Sequence, residues 1–237
     1  MERLALDRFS SPWLRNQHLA RYRWAAAGAS RLRVLDAACG TGYGSRILLE
    51  AGARHVTSMD VSKEASGLAF VRADATRLPA RDGSFDLYVS FETLEHVEDD
   101  GALVREARRV LAPGGRFLCS TPNRDLLSPG LTLRDRPRNP YHVREYSIGE
   151  FEALLSAVFP RVKLFGQTWF PDRHRKLLAR AGRISNVLSV RLHQISNLAR
   201  LPWESEARHE PLPLDRKGVP EVVIAVCELS SGPGRSR

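Results

Sequence analysis

A chain of 237 residues is long enough for one domain with a sizeable core, and its 43% hydrophobic and 27% charged residues are ordinary for a water-soluble globule. No apolar run approaches the ~20 residues that span a bilayer, and the start Met1-Glu2-Arg3-Leu4 has no apolar leader, so the expected location is cytoplasmic. The net charge of +9 admits a polyanionic partner, but only four of the 36 basic residues are lysine, an arginine bias that a GC-rich genome produces without any nucleic-acid partner.

Residues 1–30 are predicted to form a helical cap containing the amphipathic stretch 18–24. A strand is predicted over 33–39, then a glycine loop and a helix over 45–50 closed by Gly52. Strands follow over 55–60 and 68–74, and after a turn at Pro79 and Asp82-Gly83 a fourth strand covers 85–91. Asp99 or Asp100 can cap a helix running to Leu111, and Ala112-Pro113-Gly114-Gly115 is expected to stop it before a fifth strand over 117–121. An irregular stretch, 122–146, leads to a helix capped by the Ser147/Glu150 box and running through Val158. Strands over 162–169 and 221–229 flank a helical lid, 171–219, and residues 230–237 read as a disordered tail. Strands alternating with helices imply a mostly parallel sheet with right-handed crossovers. Cys39, Cys119 and Cys227 fit no zinc spacing, and their odd number argues for buried reduced thiols.

The segment carrying chemistry is Val34-Leu35-Asp36-Ala37-Ala38-Cys39-Gly40-Thr41-Gly42-Tyr43-Gly44. A glycine loop between strand and helix lets the backbone approach a ligand closely. Asp60 follows Gly40 by 20 residues, at the end of the next strand, a spacing that suits a carboxylate gripping ribose hydroxyls. The glycines are spaced Gly-x-Gly-x-Gly, unlike the dinucleotide fingerprint, and Asp36 would repel a pyrophosphate at short range while attracting an ammonium or sulfonium group.

This segment resembles motif I of the class I S-adenosylmethionine-dependent methyltransferases, in particular the small-molecule and ubiquinone-pathway O-methyltransferases. Further ordered matches are Asp74-Ala75, Gly83-Ser84-Phe85-Asp86-Leu87 and Leu111-Ala112-Pro113-Gly114-Gly115, so the likeness runs from about residue 18 to 123. It implies a Rossmann-like α/β fold with a seven-stranded, mostly parallel sheet, an antiparallel last strand and a helical insertion between strands six and seven. It also implies S-adenosylmethionine as cofactor. Asp36, Ala38, Gly40 and Gly42 would form its glycine-loop site, Asp60 would hold the ribose, Val61, Asp74 and Ala75 would stand around the adenine, and Phe91 would also contact the cofactor. Arg21 and Tyr22 would close over the carboxylate of the cofactor. One departure is the connection 61–67, which is short for a parallel crossover: either the crossover is curtailed or a stretch of chain is missing.

Methyl transfer to oxygen benefits from a base, and His142 and His96 both stand beyond the carboxyl ends of predicted strands. His142 is the preferred candidate because its surroundings are polar, aromatic and irregular. Alternatively Glu92, Glu95, His96 and His142 offer a divalent cation two carboxylates and two imidazoles, a pattern that resembles the metal site of small-RNA 2′-O-methyltransferases. The insertion carries a helical stripe of Leu177, Ala181, Ile184, Leu188, Leu192 and Ile195, with Gly182 as a possible break, among arginines that suit a lid or a peripheral membrane contact. Trp169, Phe170 and Trp203 line the acceptor pocket or belong to the core. The expected reaction is methylation of an oxygen or nitrogen of a small molecule, such as a glycosylated or polyhydroxylated one. The alternatives are a metal-dependent RNA methyltransferase, against which the lack of an RNA-binding motif counts, and a non-catalytic interaction module.

Overall fold

The computed structural model describes residues 12–184, 191–192 and 209–231. Its architecture follows from the period-two placement of apolar side chains along each strand. Leu35, Tyr88 and Phe117 pack with Leu103, Val104, Ala107, Phe151 and Leu155 in one core, while their chain neighbours Val34, Leu87 and Leu118 pack with Tyr22, Ala25, Ala26 and Leu48 in another. The sheet is thus buried on both faces, which is why its strands read as apolar runs without polar alternation.

The strands are β1 (Arg33–Ala37), β2 (His55–Asp60), β3 (Val71–Arg72), β4 (Phe85–Phe91), β5 (Leu111–Pro122), β6 (Arg161–Phe170), β7 (Leu212–Pro213) and β8 (Val219–Glu228). Helices α1 (Pro12–Ala26) and α2 (Tyr43–Glu50) cover one face; α3 (Asp100–Val110) and α5 (Ile148–Ser156) cover the other. The short α4 (Arg124–Leu127) and α6 (Asp172–Ile184) complete the set. The order across the sheet is β3-β2-β1-β4-β5-β8-β6-β7. Neighbours from β3 to β5 are parallel, and β8 lies antiparallel between β5 and β6. The chain moves outward from β1 to β3 and then returns to β4 on the other side of β1. Ligands of open α/β sheets bind beyond the carboxyl ends of strands at such a reversal.

Three expectations change. The two-residue β7 pairs antiparallel to β6 and makes the sheet eight-stranded instead of seven-stranded. The third strand shrinks from 68–74 to two residues, since only Val71 and Arg72 pair with Met59 and Asp60. Ala112-Pro113-Gly114-Gly115 does not end a helix ahead of the strand but lies inside β5: Phe85 pairs with Leu111 and Leu87 with Arg116, so the extra residues bulge out, with Gly114 at φ 76°. The helix ahead of it is capped as expected, Asp99 Oδ1 accepting from Ala102 N at 2.7 Å, and the Ser147/Glu150 box is formed.

The β2–β3 connection crosses as coil without a helix and packs on the glycine bend. Ser66 N donates to Gly40 O at 3.0 Å, and a side chain at Gly42 would collide with Ser66 O. Gly182 does not break α6, which continues to Ile184; the missing side chain leaves room for the Arg138 guanidinium. Leu178 and Ala181 face inward, whereas Leu177 and Ile184 are exposed, so the stripe does not pack as a unit. Leu192 packs against the cluster of Trp13, Leu126, Phe170 and Leu178, whereas Leu188, Ile195, Trp203, residues 1–11 of the cap and the tail from 232 lie outside the described residues. The three cysteines are free and buried, and no described helix is long and apolar enough to cross a membrane.

Candidate active site

Beyond β1 the chain bends through three left-handed residues, Ala38 (φ 59°), Gly40 (φ 54°) and Gly42 (φ 75°). Two of these are glycines, for which that conformation is unstrained. Asp60, at the end of β2, fixes the bend: Oδ2 accepts from Gly40 N at 3.0 Å and Oδ1 from Ser62 N at 2.9 Å. Next to this bend opens a cavity of about 910 Å³. That is toward the upper end of ligand pockets, roughly 300–1,000 Å³, and so has room for a large cofactor together with an acceptor.

Tyr22, Ala38, Gly40, Asp60, Val61, Asp74, Ala75 and Phe91, which the resemblance assigns to the cofactor, all line this cavity. Val61 is 45% exposed at its rim, so the curtailed crossover leaves that wall in place. Three expected cofactor residues stand elsewhere. Asp36 is fully buried beneath the bend, accepting from the Tyr22 hydroxyl at 2.9 Å and the Ser45 hydroxyl at 2.5 Å. Burial raises its carboxyl to about 6, partly opposed by those two bonds. Gly42 is held against the 66–67 backbone, away from the cavity. Arg21 is fully buried and turned to Glu92 Oε1 at 2.7 Å and Ser120 Oγ at 3.2 Å. A buried guanidinium demands a charged partner, and Glu92, at φ 53° just past β4, supplies one.

One turn before Arg21, His18 takes a place in the cavity wall that sequence reasoning did not assign to it. Its Nδ1 is 3.0 Å from the Tyr43 hydroxyl. Burial first, and then the charge of Arg21, hold its pKa well below the ordinary histidine value, so the ring is neutral at physiological pH. The usable signal was a histidine one helical turn before Arg21 and Tyr22, on the same buried side of the helix, but core histidines look the same.

The second chemical cluster follows β4. A 3₁₀ turn, Leu94–His96, brings Glu95 and His96 toward the loop before α5, and Val143 N donates to Glu95 O at 2.7 Å. His96 Nδ1 lies 2.9 Å from Tyr141 O, and His142 Nδ1 lies 2.8 Å from Glu145 Oε1. Both acceptors are oxygens, so both rings carry the proton on Nδ1 and present a lone pair on Nε2. Asn139 Oδ1 accepts from Tyr141 N, which orients its amide so that Nδ2 donates to His142 Nε2 at 2.9 Å. The two rings meet edge to face at 5.0 Å. Glu95 is 1% exposed and receives the Thr121 hydroxyl at 3.1 Å; burial and the nearby Glu92 raise its pKa.

Among the described residues, a carboxylate oxygen of Glu95 and one ring nitrogen each of His96 and His142 lie within 4.8 Å of one another. The fourth expected ligand, Glu92, lines the cavity but is paired with Arg21 and the Ser120 hydroxyl, and stands outside this cluster. Glu145 and Asn139, which orient His142, were not foreseen: nothing marks them in sequence apart from their closeness to it. Phe170 packs with Trp13 and Leu178 in a separate core cluster instead of lining the cavity, and Trp169 is also absent from the wall.

Residues 35–119 match the family described as "Methyltransferase domain". A probable S-adenosylmethionine-dependent methyltransferase of Mycobacterium tuberculosis is 34% identical over 82% of this chain and 70% of its own length. Another from Mycolicibacterium smegmatis is 40% identical over 60% of this chain, which spans only 57% of that relative. A ubiquinone biosynthesis O-methyltransferase of Xanthomonas oryzae is 33% identical over 62% of this chain and 70% of its own length. In fold, the chain is similar to a methyltransferase of Thermotoga maritima described as a possible histamine N-methyltransferase, with TM-score 0.61 and 15% identity over 91% of this chain and 92% of that one. The order of the strands, the glycine bend with its following acid and these likenesses converge: the chain belongs to the class I S-adenosylmethionine-dependent methyltransferases, and S-adenosylmethionine is its cofactor.

Proposed function

We propose that this enzyme methylates a hydroxyl oxygen of a small molecule. The observation that carries the reading is the pair of imidazoles, each with Nδ1 turned to an oxygen, in the wall of the cavity that also holds Asp60 and Asp74. Asp60 receives the ribose hydroxyls, Asp74 and Ala75 meet the adenine, and the backbone at Ala38 and Gly40 meets the methionine portion. The cofactor, when bound, supplies a methyl group on a cationic sulfur. The chemistry it would supply is displacement at that carbon: the acceptor oxygen would bond to the methyl group as the carbon–sulfur bond broke and its electron pair returned to sulfur. His142 Nε2 takes the hydroxyl proton, with Glu145 holding the ring and balancing its new charge. The acceptor hydroxyl replaces the Asn139 amide at that nitrogen. Alignment supplies most of the acceleration and the base a smaller part, about 10²–10⁴-fold.

A second reading is favoured by the grouping of Glu95, His96 and His142. Oxygen acceptors on both Nδ1 atoms are the usual outer partners of metal-bound histidines, so the residues fit a divalent cation. These three side chains would hold it, and it would acidify the acceptor hydroxyl. Incubation with labelled cofactor and a panel of hydroxylated, amino and RNA acceptors tests both readings. Label on an oxygen of a small molecule, lost in His142→Ala and insensitive to a chelator, supports the first. Loss on chelation with recovery by a divalent cation supports the second. Transfer to RNA alone, or to nitrogen, overturns the proposal.

A further inference from the structure

Eight large apolar side chains stand exposed among the described residues, and five of them belong to two segments: Leu133, Tyr141 and Val143 in the loop 131–143, and Leu177 and Ile184 in α6. The two segments touch. The Arg138 guanidinium fills the space beside Gly182, and Leu178 of α6 packs with Leu126 of α4, just ahead of the loop. Single exposed apolar residues are ordinary, but their concentration on one flank marks an interaction surface.

Along α6 the exposed residues Arg173, Lys176, Leu177, Arg180 and Ile184 are spaced to form one outward face, while Leu178 and Ala181 turn inward. Leu177 is 51% exposed and Ile184 81%, so neither is covered by the fold. The loop and α6 together hold eight arginines and lysines against two acids, Asp135 and Asp172. Asp172 is taken up by Arg175 and Lys176, so the surplus positive charge falls on the exposed Arg134, Arg136, Arg173 and Arg180.

Cations with aliphatic side chains set among them suit an anionic lipid surface: guanidinium groups meet the headgroups, and apolar tips enter the acyl boundary. A nucleic-acid backbone would engage the arginines but leave Leu177 and Ile184 in water. Tyr141 is 57% exposed and also lines the cavity, as do Arg138, Asn139 and Pro140 before it, so this flank borders the cavity mouth.

We propose that the outward face of α6, with the adjoining loop 131–143, docks on an anionic phospholipid surface and sets the cavity mouth beside it. This concerns the outside of the protein and stands whatever the acceptor proves to be.

Sedimentation with phosphatidylcholine vesicles, with and without phosphatidylglycerol, tests it on the wild type, a Leu177→Ser/Ile184→Ser variant and an Arg173→Gln/Arg180→Gln variant. The wild type should go down with the anionic vesicles, less so as salt rises, and stay in solution with the neutral ones. Loss of the two arginines should weaken binding roughly 30-fold at low salt. The serine pair should weaken it by roughly 10-fold or more. Both variants should keep wild-type affinity for S-adenosylhomocysteine, since none of these four residues lines the cavity. Wild-type protein that ignores both kinds of vesicle overturns the proposal, as does anionic binding that both variants retain in full. So does a dimer, or a complex with single-stranded RNA, that the substitutions disrupt while vesicles are ignored. Should the serine variant not fold, the arginine variant decides alone: weakened binding upholds the docking face, and undiminished binding overturns it.

Discussion

The Tyr22 hydroxyl reaches from α1 to the buried Asp36 carboxylate and donates to Oδ1 over 2.9 Å, tying the N-terminal helix to the strand end beneath the glycine bend. The same ring lies edge-on to Phe91 and Tyr43 and would collide with any side chain at Gly44. Tyr22→Phe should keep this packing and remove only the hydrogen bond. The expected loss is about 2 kcal/mol of stability by urea denaturation, with little change in affinity for S-adenosylhomocysteine, since the ring still forms its part of the wall.

The same carboxyl gives the protein a pH signature. Burial raises Asp36 to about 6 in the fold, against roughly 3.9 in an unfolded chain. The protonated form is therefore favoured by folding. That contribution is complete below about pH 4 and is lost as the pH rises through about 6. Relative to Asp36→Asn, which does not titrate, the wild type should lose on the order of 3 kcal/mol between pH 4 and pH 7. Denaturation of both proteins across this range checks the sign; parallel curves would show that Asp36 ionises normally in the fold.

Arg21 should prove to be a stability residue. Its side chain is fully buried against Glu92, so Arg21→Ala leaves a carboxylate facing a buried void. The expected cost is about 3 kcal/mol, the lower end for a broken buried pair because Glu92 keeps the Ser120 hydroxyl and some solvent. The change should appear as a lower denaturation midpoint at unchanged slope. Arg21→Met combined with Glu92→Gln should recover part of the loss by removing both charges.

Asp60 joins two duties that separate by substitution. Asp60→Ala should abolish measurable cofactor binding, since it removes the ribose acceptor and releases the Gly40 and Ser62 amides together. Asp60→Asn keeps one oxygen and should bind roughly 10- to 100-fold more weakly than wild type. Calorimetry separates these outcomes, and wild-type affinity in the alanine variant would refute the ribose assignment.

Much of this was already legible in local sequence. A glycine bend after an apolar strand, an acid at the next strand end, a capping box at Ser147 and Glu150, and alternating strand and helix signals are short-range features with local physical causes. Such features placed Ala38, Gly40, Asp60 and Asp74 around one cavity without reference to tertiary structure. The third strand is shorter than its apolar run suggests for the same reason, because such a run shows strand character but not whether a partner strand lies alongside it.

What the sequence by itself determined was the fold class and the strand ends where chemistry gathers, set by backbone conformation and the period of apolar residues, while its glycine-loop motif pointed to the cofactor through resemblance to a known family. Only the tertiary structure decided which charges face ligand and which face each other. Arg21, Asp36 and Glu92 carry the right chemistry for a binding site, but two are withdrawn into buried bonds and the third is tied to Arg21, while His18, Asn139 and Glu145 occupy cavity walls that their neighbours in sequence do not reveal. The physical reason is that a buried charge must find its counter-charge, and that partner stands 71 residues away for Arg21.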